Sequence, residues 1–202
     1  PEVDNPNEIV FEPKINYQSF ASEFSKEIKS NLDYYVGVQA NKYQIRPGEL
    51  RPGNGNSVVA VSLAEENSYE FSGYGNVNFK PVTNVAISAG LRFSHYVLVG
   101  PYRQAQLDQT TGLLLGVTDF EKGAGVKTYN GLEPRLGANI KLNETTSIKA
   151  SYARLNQYLQ NVYNSTTPLP TSRWKTSDSN IKPQISDTYG LGIYKNLGNN
   201  EV

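Results

Sequence analysis

The chain has 202 residues, a formal net charge of zero and no cysteine. The balanced charge does not point to a nucleic acid partner, and the lack of cysteine excludes disulfides and cysteine-based zinc or iron–sulfur sites. No run of about 18 apolar residues is present, so no transmembrane helix is predicted, and we expect no cofactor. Methionine and a recognisable signal peptide are also absent, which we interpret as a segment cut from a longer protein.

Seven long strands are predicted, joined alternately by short turns and long polar loops. The strands are placed at 14–26, 31–46, 67–80, 84–98, 130–142, 145–158 and 187–197. The short turns lie near 27–30, 80–84, 142–145 and 197–200, and the long loops near 47–66, 99–129 and 159–186. Short joins at one end and long ones at the other are typical of an outer-membrane barrel.

Two details along the chain carry further expectations. Phe20 and Phe24 are out of register with Ile15 and Tyr17, which predicts a bulge or a misplaced boundary in the first strand. Inside the second long loop, the apolar run 112–117 predicts a short extra hairpin above the membrane.

Period-two alternation separates an apolar face from a polar face in these strands. It is clearest at 84–99 and 131–142, and we expect the apolar set to project outward and the charged set to face inward. The outward set is Val85, Ile87, Leu91, Leu132, Leu136 and Ile140. The inward set is Arg92, Glu133, Arg135 and Lys141.

Alternation is also found in β-sandwiches, so strand length decides between the two folds. The patterned runs last about 11–16 residues, whereas soluble strands have about 5–6 and membrane strands about 9–11. We therefore predict an all-β, antiparallel, up-and-down transmembrane β-barrel segment of about seven strands. Seven strands do not close a bacterial barrel, so either more strands lie elsewhere or the count is wrong. Alone in water, the free edges should cause aggregation or pairing.

The polar residues give few candidates for catalysis. His95 is the only histidine and shares the apolar face near the loop end of its strand, as an interfacial aromatic would. Glu133, Arg135 and Lys141 are interpreted as a charge ladder that hydrates the interior, with contact to a plug or substrate as the alternative. The pair 65–66 (Glu-Glu) is interpreted as solvated loop. No catalytic or metal-ligating set emerges.

Candidates for ligand contact lie in the long loops. Trp174 is the only tryptophan, and it is next to Arg173 in the loop that also contains Tyr163. Tyr102 and Arg103 lie in the preceding loop. Exposed aromatic and cationic side chains can stack on sugars or chelate rings. The alternative is that Trp174 packs the loop onto its neighbours or anchors at the membrane interface.

The second half of the chain resembles the barrel of TonB-dependent outer-membrane receptors, in the form common in Bacteroidota. The resemblance covers roughly 67–197 and is looser before that. The residues that carry it are Gly90–Phe93, Leu132–Leu136, Leu142–Glu144, Ser147–Tyr152, Asn156–Tyr158, Pro168–Thr171, Asn180–Gln184, Ser186-Asp187, Tyr189 and Leu191-Gly192.

This resemblance implies a barrel of about 22 strands plugged by a separate N-terminal domain. Such receptors reside in the outer membrane of Gram-negative bacteria and import scarce nutrients such as siderophores, corrinoids or glycans. The expected partners are the lipid bilayer, the plug of the same full-length protein, the TonB complex through the N-terminal part, and a small-molecule or oligosaccharide ligand. No nucleic acid is expected. Residues 1–202 would form part of one transmembrane β-barrel domain, without the plug.

Three function classes are compatible with the residues themselves. The first is an importer, the second a soluble β-sheet binding or adhesion module for glycan or protein, and the third an outer-membrane enzyme such as a lipase or protease. The residue inventory speaks against the enzyme, because a Ser–His–Asp arrangement would depend entirely on His95.

Overall fold

The computed structural model describes residues 9–10, 14–46, 49–52, 61–62, 64–108, 110–162 and 173–197. Within these ranges the chain forms strands and contains no helix. Accordingly, no described helix is long and apolar enough to cross a bilayer. The strands are β1 (Ile9–Val10), β2 (Lys14–Lys29), β3 (Leu32–Arg46), β4 (Glu49–Pro52), β5 (Val61–Ser62), β6 (Glu66–Val82), β7 (Val85–Val99), β8 (Tyr102–Leu107), β9 (Leu114–Phe120), β10 (Gly125–Lys141), β11 (Thr146–Gln157), β12 (Leu159–Val162), β13 (Arg173–Thr176) and β14 (Gln184–Lys195).

The seven long strands form one antiparallel sheet in the order β14-β11-β10-β7-β6-β3-β2. Each strand pairs with its neighbour among these seven along the chain. This confirms the predicted antiparallel sheet of seven strands, including its up-and-down order. The largest difference in boundary is at β10, which begins at Gly125 and not at residue 130. In the described residues the sheet does not close, because β2 and β14 each pair on one side only.

The short and long joins lie at opposite ends of the sheet. Residues 30–31, 83–84 and 142–145 connect β2 to β3, β6 to β7 and β10 to β11 at one end. The predicted turn near 197–200 lies almost entirely outside the described residues. At the other end, the long joins contain the pairs β4-β5, β8-β9 and β12-β13, and β4 also pairs with β1, which precedes β2. An extra hairpin is present in the second long join, but it is longer than the expected run 112–117: β8 pairs with β9, and the run supplies only part of the turn and the start of β9.

The bulge or misplaced boundary expected in the first strand is found at the end of that strand, which continues to Lys29 and not to residue 26, and not near Phe20 and Phe24. Strand β2 pairs with β3 without interruption from Lys14 to Glu27, and the register shifts only between Glu27 and Lys29. Phe20 and Phe24 pair with outer-face residues of β3, and both rings are exposed. The apparent mismatch arises because Tyr17 belongs to the inner face, where its hydroxyl donates to Asn41.

The register places the apolar and charged sets on opposite faces, as predicted. Residues directly opposite in an antiparallel pair share a face. Leu91 lies opposite Pro134 and Ile140 opposite Val85 on the outer face, whereas Arg92 lies opposite Glu133 on the inner face. Leu91, Leu132 and Leu136 are half or more exposed, so they do not interdigitate with a second sheet in the described part of the chain. The arrangement is that of a barrel wall rather than a sandwich.

The buried residues concentrate on the inner face, at the long-loop end. Tyr96, Leu98 and Tyr158 form the core cluster, with Tyr102, Val126 and Tyr129 packed against it. A barrel wall needs little core of its own, because its outer face is covered by lipid. This cluster therefore marks the place where a loop covers the inner wall.

Candidate functional site

A segment of the third long join, residues 173–182, folds back over the inner face, and we call it the inner strap. The Ser177 N–H donates to the carbonyl of Tyr158 at 2.8 Å. From the wall, Tyr96 Oη donates to the Ser177 carbonyl at 3.1 Å and Tyr129 Oη to the Asp178 carbonyl at 2.6 Å. The strap therefore lies against the loop ends of β7 and β10.

An aromatic stack supports the start of this loop. The rings of Tyr96 and Tyr158 are parallel within 5° and 4.7 Å apart. The hydroxyls of Tyr158 and Ser94 are 2.7 Å apart and hydrogen-bonded. Offset or parallel aromatic pairs contribute about 0.5–1.5 kcal/mol beyond their area burial. The stack holds the chain at the inner wall where it leaves β11.

Gly131 provides the space for this stack, which gives a testable prediction. A Cβ at Gly131 would lie 2.6 Å from Asn156 Nδ2 and 2.7 Å from both Ser94 Oγ and Tyr158 Oη. We expect Gly131→Val to displace Tyr158 and to lower the free energy of unfolding of the barrel by about 1–3 kcal/mol, the usual cost of overpacking. Denaturant unfolding in detergent micelles measures this.

Gly73→Val is the matched control for that substitution. A Cβ at Gly73 has no atom within 4 Å, and the residue lies in the middle of the outer face of β6. We expect its effect on the free energy of unfolding to be small. Equal destabilisation by the two variants would contradict the packing role of Gly131.

A buried ionic cluster anchors the strap. Lys175 Nζ lies 2.5 Å from Glu66 Oε1, 3.1 Å from Asp178 Oδ2 and 2.8 Å from Tyr102 Oη, to which it donates. The Thr176 N–H and hydroxyl donate to Glu66 Oε2 at 2.9 and 2.6 Å, and Tyr102 Oη donates to Asp178 at 2.6 Å. The ionic side chains are only 4–11% exposed. Three separate elements, the strap, β6 and β8, thus meet at one lysine.

The electrostatics of the cluster favour its charged state. Burial opposes the charge of Lys175, but Glu66 and Tyr102 outweigh this effect and raise the lysine pKa above its ordinary value. Burial also opposes the charge of Asp178, yet the hydrogen bond from Tyr102 and the charge of Lys175 lower the pKa of that carboxyl. Burial and Asp178 raise the pKa of the Tyr102 hydroxyl, so it keeps its proton. Lys175 and Asp178 are therefore both ionised at neutral pH.

A second polar network lines the inner wall below the strap. Arg92 Nη2 donates to Gln39 at 3.0 Å and lies 3.3 Å from Glu70 Oε1. The Tyr43 hydroxyl donates to the other Glu70 oxygen at 3.0 Å. The network occupies the middle of β3, β6 and β7, where a barrel interior is polar.

The predicted charge ladder on β10 is only partly solvated. Glu133 is 4% exposed; it accepts a 3.4 Å hydrogen bond from Ser94 and lies 3.8 Å from Arg135. Arg135 and Lys141 are exposed on the same face. The prediction that Glu66 is a solvated loop residue is wrong, because this side chain is 5% exposed and is bound to the strap. Its neighbour Glu65 remains near the surface and pairs with Arg46 at 2.8 Å.

The five predicted ligand candidates lie in different environments. Trp174 is 37% exposed and pairs with Asn161 in the β12–β13 hairpin. Tyr102 belongs to the ionic cluster, whereas Arg103 is exposed and pairs with Asp119 at 3.4 Å. Arg173 begins β13, but its side chain and the whole of Tyr163 lie outside the described part of the structure. The fold brings Tyr102 into contact with Lys175, the residue that follows Trp174 in β13.

The most constrained residues of this site were not found from the sequence. Neither Lys175 nor Asp178 is among the predicted site residues, and their partner Glu66 is 109 residues away from Lys175 along the chain. Only the neighbouring Trp174 drew attention to the segment. His95 lies as expected near the loop end on the outer face, and its Nδ1 is 2.7 Å from Asn130 Oδ1. Among the described residues, no group of three or more acidic or histidine side chains is placed to hold a metal ion.

Comparison with known proteins agrees with this barrel-wall architecture, in which apolar side chains face outward and polar side chains inward. The sequence model of the family described as "TonB dependent receptor-like, beta-barrel" matches residues 3–201. The chain therefore belongs to the TonB-dependent receptor β-barrel family.

One solved structure, that of the copper transporter OprC, is similar in fold. The TM-score is 0.54 at 10% sequence identity, and the match covers 91% of this chain and 29% of the transporter. The present chain thus spans less than a third of the length of that protein. At this identity the likeness concerns the fold alone. A search of curated protein sequences returned no match to the chain.

Proposed function

We propose that this chain is part of the barrel wall of an outer-membrane receptor that binds and imports a scarce nutrient in a Gram-negative bacterium. The observation that carries the proposal is the family membership over residues 3–201. It is supported by the register, which gives long strands an apolar outer face and a polar inner face. The proposal includes no catalytic step.

The proposed partners follow from the architecture of such a receptor. The exposed leucines of the outer face contact lipid. The inner face, with the network around Arg92 and Glu70, faces a plug domain of the same full-length protein. Energy would reach the receptor from the TonB complex through that N-terminal part.

The proposed ligand is a small molecule or oligosaccharide, such as a ferric siderophore, a corrinoid or a glycan. Trp174 is the first candidate for contact because it is partly exposed next to the buried strap residues 175–178, and Tyr102, Arg103, Arg173 and Tyr163 are the others. The name of the similar transporter indicates copper for that protein. This segment offers little for copper, because the sequence has one histidine and neither cysteine nor methionine, the side chains that copper prefers.

The alternative of a soluble binding or adhesion module is less well supported. Such a module would cover its apolar face with a second layer. The described outer face instead leaves Leu91, Leu132 and Leu136 exposed, as a lipid-facing surface does.

Uptake measurements on the full-length receptor test the proposal. Cells would be given three labelled probes, a ferric siderophore, a corrinoid and an oligosaccharide, with and without a working TonB complex. We expect TonB-dependent uptake of one probe, and about tenfold weaker binding of that probe to the Trp174→Ala variant. This is a loss of about 1.4 kcal/mol, because truncating an aromatic side chain that contributes to binding costs more than about 1 kcal/mol.

Trp174→Phe is the matched control, because it keeps a ring for stacking and should retain most of the binding. Uptake that does not depend on TonB, or no uptake of any probe, would contradict the receptor proposal. Unchanged binding by Trp174→Ala would remove only the role assigned to Trp174.

A further inference from the structure

We propose that Lys175 is a positioning residue: it fixes the inner strap to the barrel wall and thereby presets Trp174 for the ligand. The fixation of the strap stands on the contacts alone, whereas the role of Trp174 rests on the proposed function. The strap would then be a fixed part of the inner wall and not a lid that opens.

The first step of the argument is that one lysine joins three elements. Its Nζ contacts Glu66 on β6, the Tyr102 hydroxyl on β8 and Asp178 within the strap. The same nitrogen lies 5.1 Å from the centre of the Tyr102 ring, within the range of a cation–π contact. No other side chain in the described ranges contacts β6, β8 and the strap in this way.

The second step concerns the weakness of the strap without these anchors. The β12–β13 hairpin has only four residue pairs, from Leu159–Thr176 to Val162–Arg173. An isolated two-stranded hairpin is at best marginally stable in water. The position of the strap is therefore set by its anchors on the wall and not by its own pairing.

The third step is that displacement would be costly. Removing the lysine ammonium leaves Glu66 and Asp178, both less than a tenth exposed, without their shared counter-charge. Breaking a buried ion pair from one side is strongly unfavourable, because an uncompensated charge remains. Thr176 would still donate to Glu66, so the strap should loosen rather than unfold the barrel.

The fourth step links the anchor to Trp174. Trp174 directly precedes Lys175 in β13. Lys175 is 9% exposed within the wall cluster, whereas Trp174 is 37% exposed, so its ring remains partly accessible beside the anchored lysine. If an aromatic side chain is already fixed, less conformational entropy is lost when the ligand binds, and part of the cost of ordering that side chain is avoided.

Distances between spin labels in the full-length receptor test the fixation. One label is attached at Ser179→Cys, an exposed strap position, and one at Glu144→Cys in the β10–β11 turn. This segment has no cysteine of its own, and any elsewhere in the full-length protein would be replaced. We expect one narrow distance distribution for the parent and a broadened or two-component distribution for Lys175→Met, which keeps the length of the side chain and removes its charge.

Two further variants make the result decisive. Lys182→Met changes the same residue type at an exposed position of the same strap and should leave the distribution narrow. Tyr102→Phe removes one contact to Lys175 and should broaden it to an intermediate degree, which keeps the test valid if Lys175→Met does not fold. A narrow distribution in both Lys175→Met and Tyr102→Phe would overturn the fixation.

Uptake of the same three labelled probes tests the presetting of Trp174. We expect Lys175→Met to weaken binding of the accepted probe, but less than Trp174→Ala does, because the ring is retained and only the cost of ordering it is added. If the strap loosens while binding stays unchanged, the link from Lys175 to Trp174 is overturned. If the parent takes up no probe, the proposed function has failed, and the distance measurement still decides whether the strap is fixed.

Discussion

Replacing Leu136 with arginine is expected to destabilise the barrel in a bilayer. The free energy of unfolding should fall by about 2–4 kcal/mol, the cost of a cationic side chain near the midplane. Leu136 lies opposite Ala89 on β7 and opposite Tyr152 on β11, and its side chain is 54% exposed on the outer face. An arginine there would meet hydrocarbon instead of water. Equilibrium folding of the full-length protein into lipid vesicles measures the effect.

Leu142→Arg is the matched control, since it makes the same change six residues further along. Leu142 lies beyond the end of β10 in the short turn and is equally exposed, at 58%. Near the membrane interface the same substitution should cost about 0–1 kcal/mol. If Leu136→Arg is as mild as Leu142→Arg, the outer face is not in contact with lipid at that depth.

Replacing Arg92 with methionine is expected to lower the free energy of unfolding by about 2–3 kcal/mol. The side chains of Arg92 and Glu70 are 18% and 12% exposed, and removing the cation leaves a nearly buried carboxylate. The full cost of breaking a buried pair is about 3–5 kcal/mol. The remaining hydrogen bond from Tyr43 to Glu70 should reduce it. Denaturant unfolding in micelles is the measurement.

Arg46→Met tests whether burial or distance determines the size of this effect. The Arg46–Glu65 pair is shorter, at 2.8 Å against 3.3 Å, but its side chains are 61% and 31% exposed. An exposed pair contributes about 0–1 kcal/mol, so we expect a small loss despite the shorter contact. A larger loss for Arg46→Met than for Arg92→Met would contradict the burial argument.

The wall of the barrel could be predicted from the sequence because its rules are local. Alternation along β7 and β10 is sufficient to assign Leu91 and Leu136 to one face and Arg92 and Glu133 to the other, since side chains in a strand alternate with period two. The turn signals near residues 30, 84 and 143 likewise depend on a few adjacent residues. The irregularity of the first strand was expected, but its place between Glu27 and Lys29 was not, because aromatic residues occur on both faces of β2 and the pattern alone does not distinguish the faces.

The contacts of the ionic cluster could not be predicted from the sequence and are defined only by the tertiary structure. Lys175 and Glu66 are separated by 109 residues, and no local pattern records that a loop after β11 returns to the wall at β6. The large separation in sequence also hid the burial of Glu66, and a separation of 81 residues hid the contact of Tyr96 with Ser177. Whether a charge is buried depends on which residues pack over it. Glu66 is packed under the inner strap, which is distant in sequence and is held by pairwise contacts. The sequence by itself therefore determined the strands and their faces, whereas the folded chain decided which of its loops closes over the inner wall.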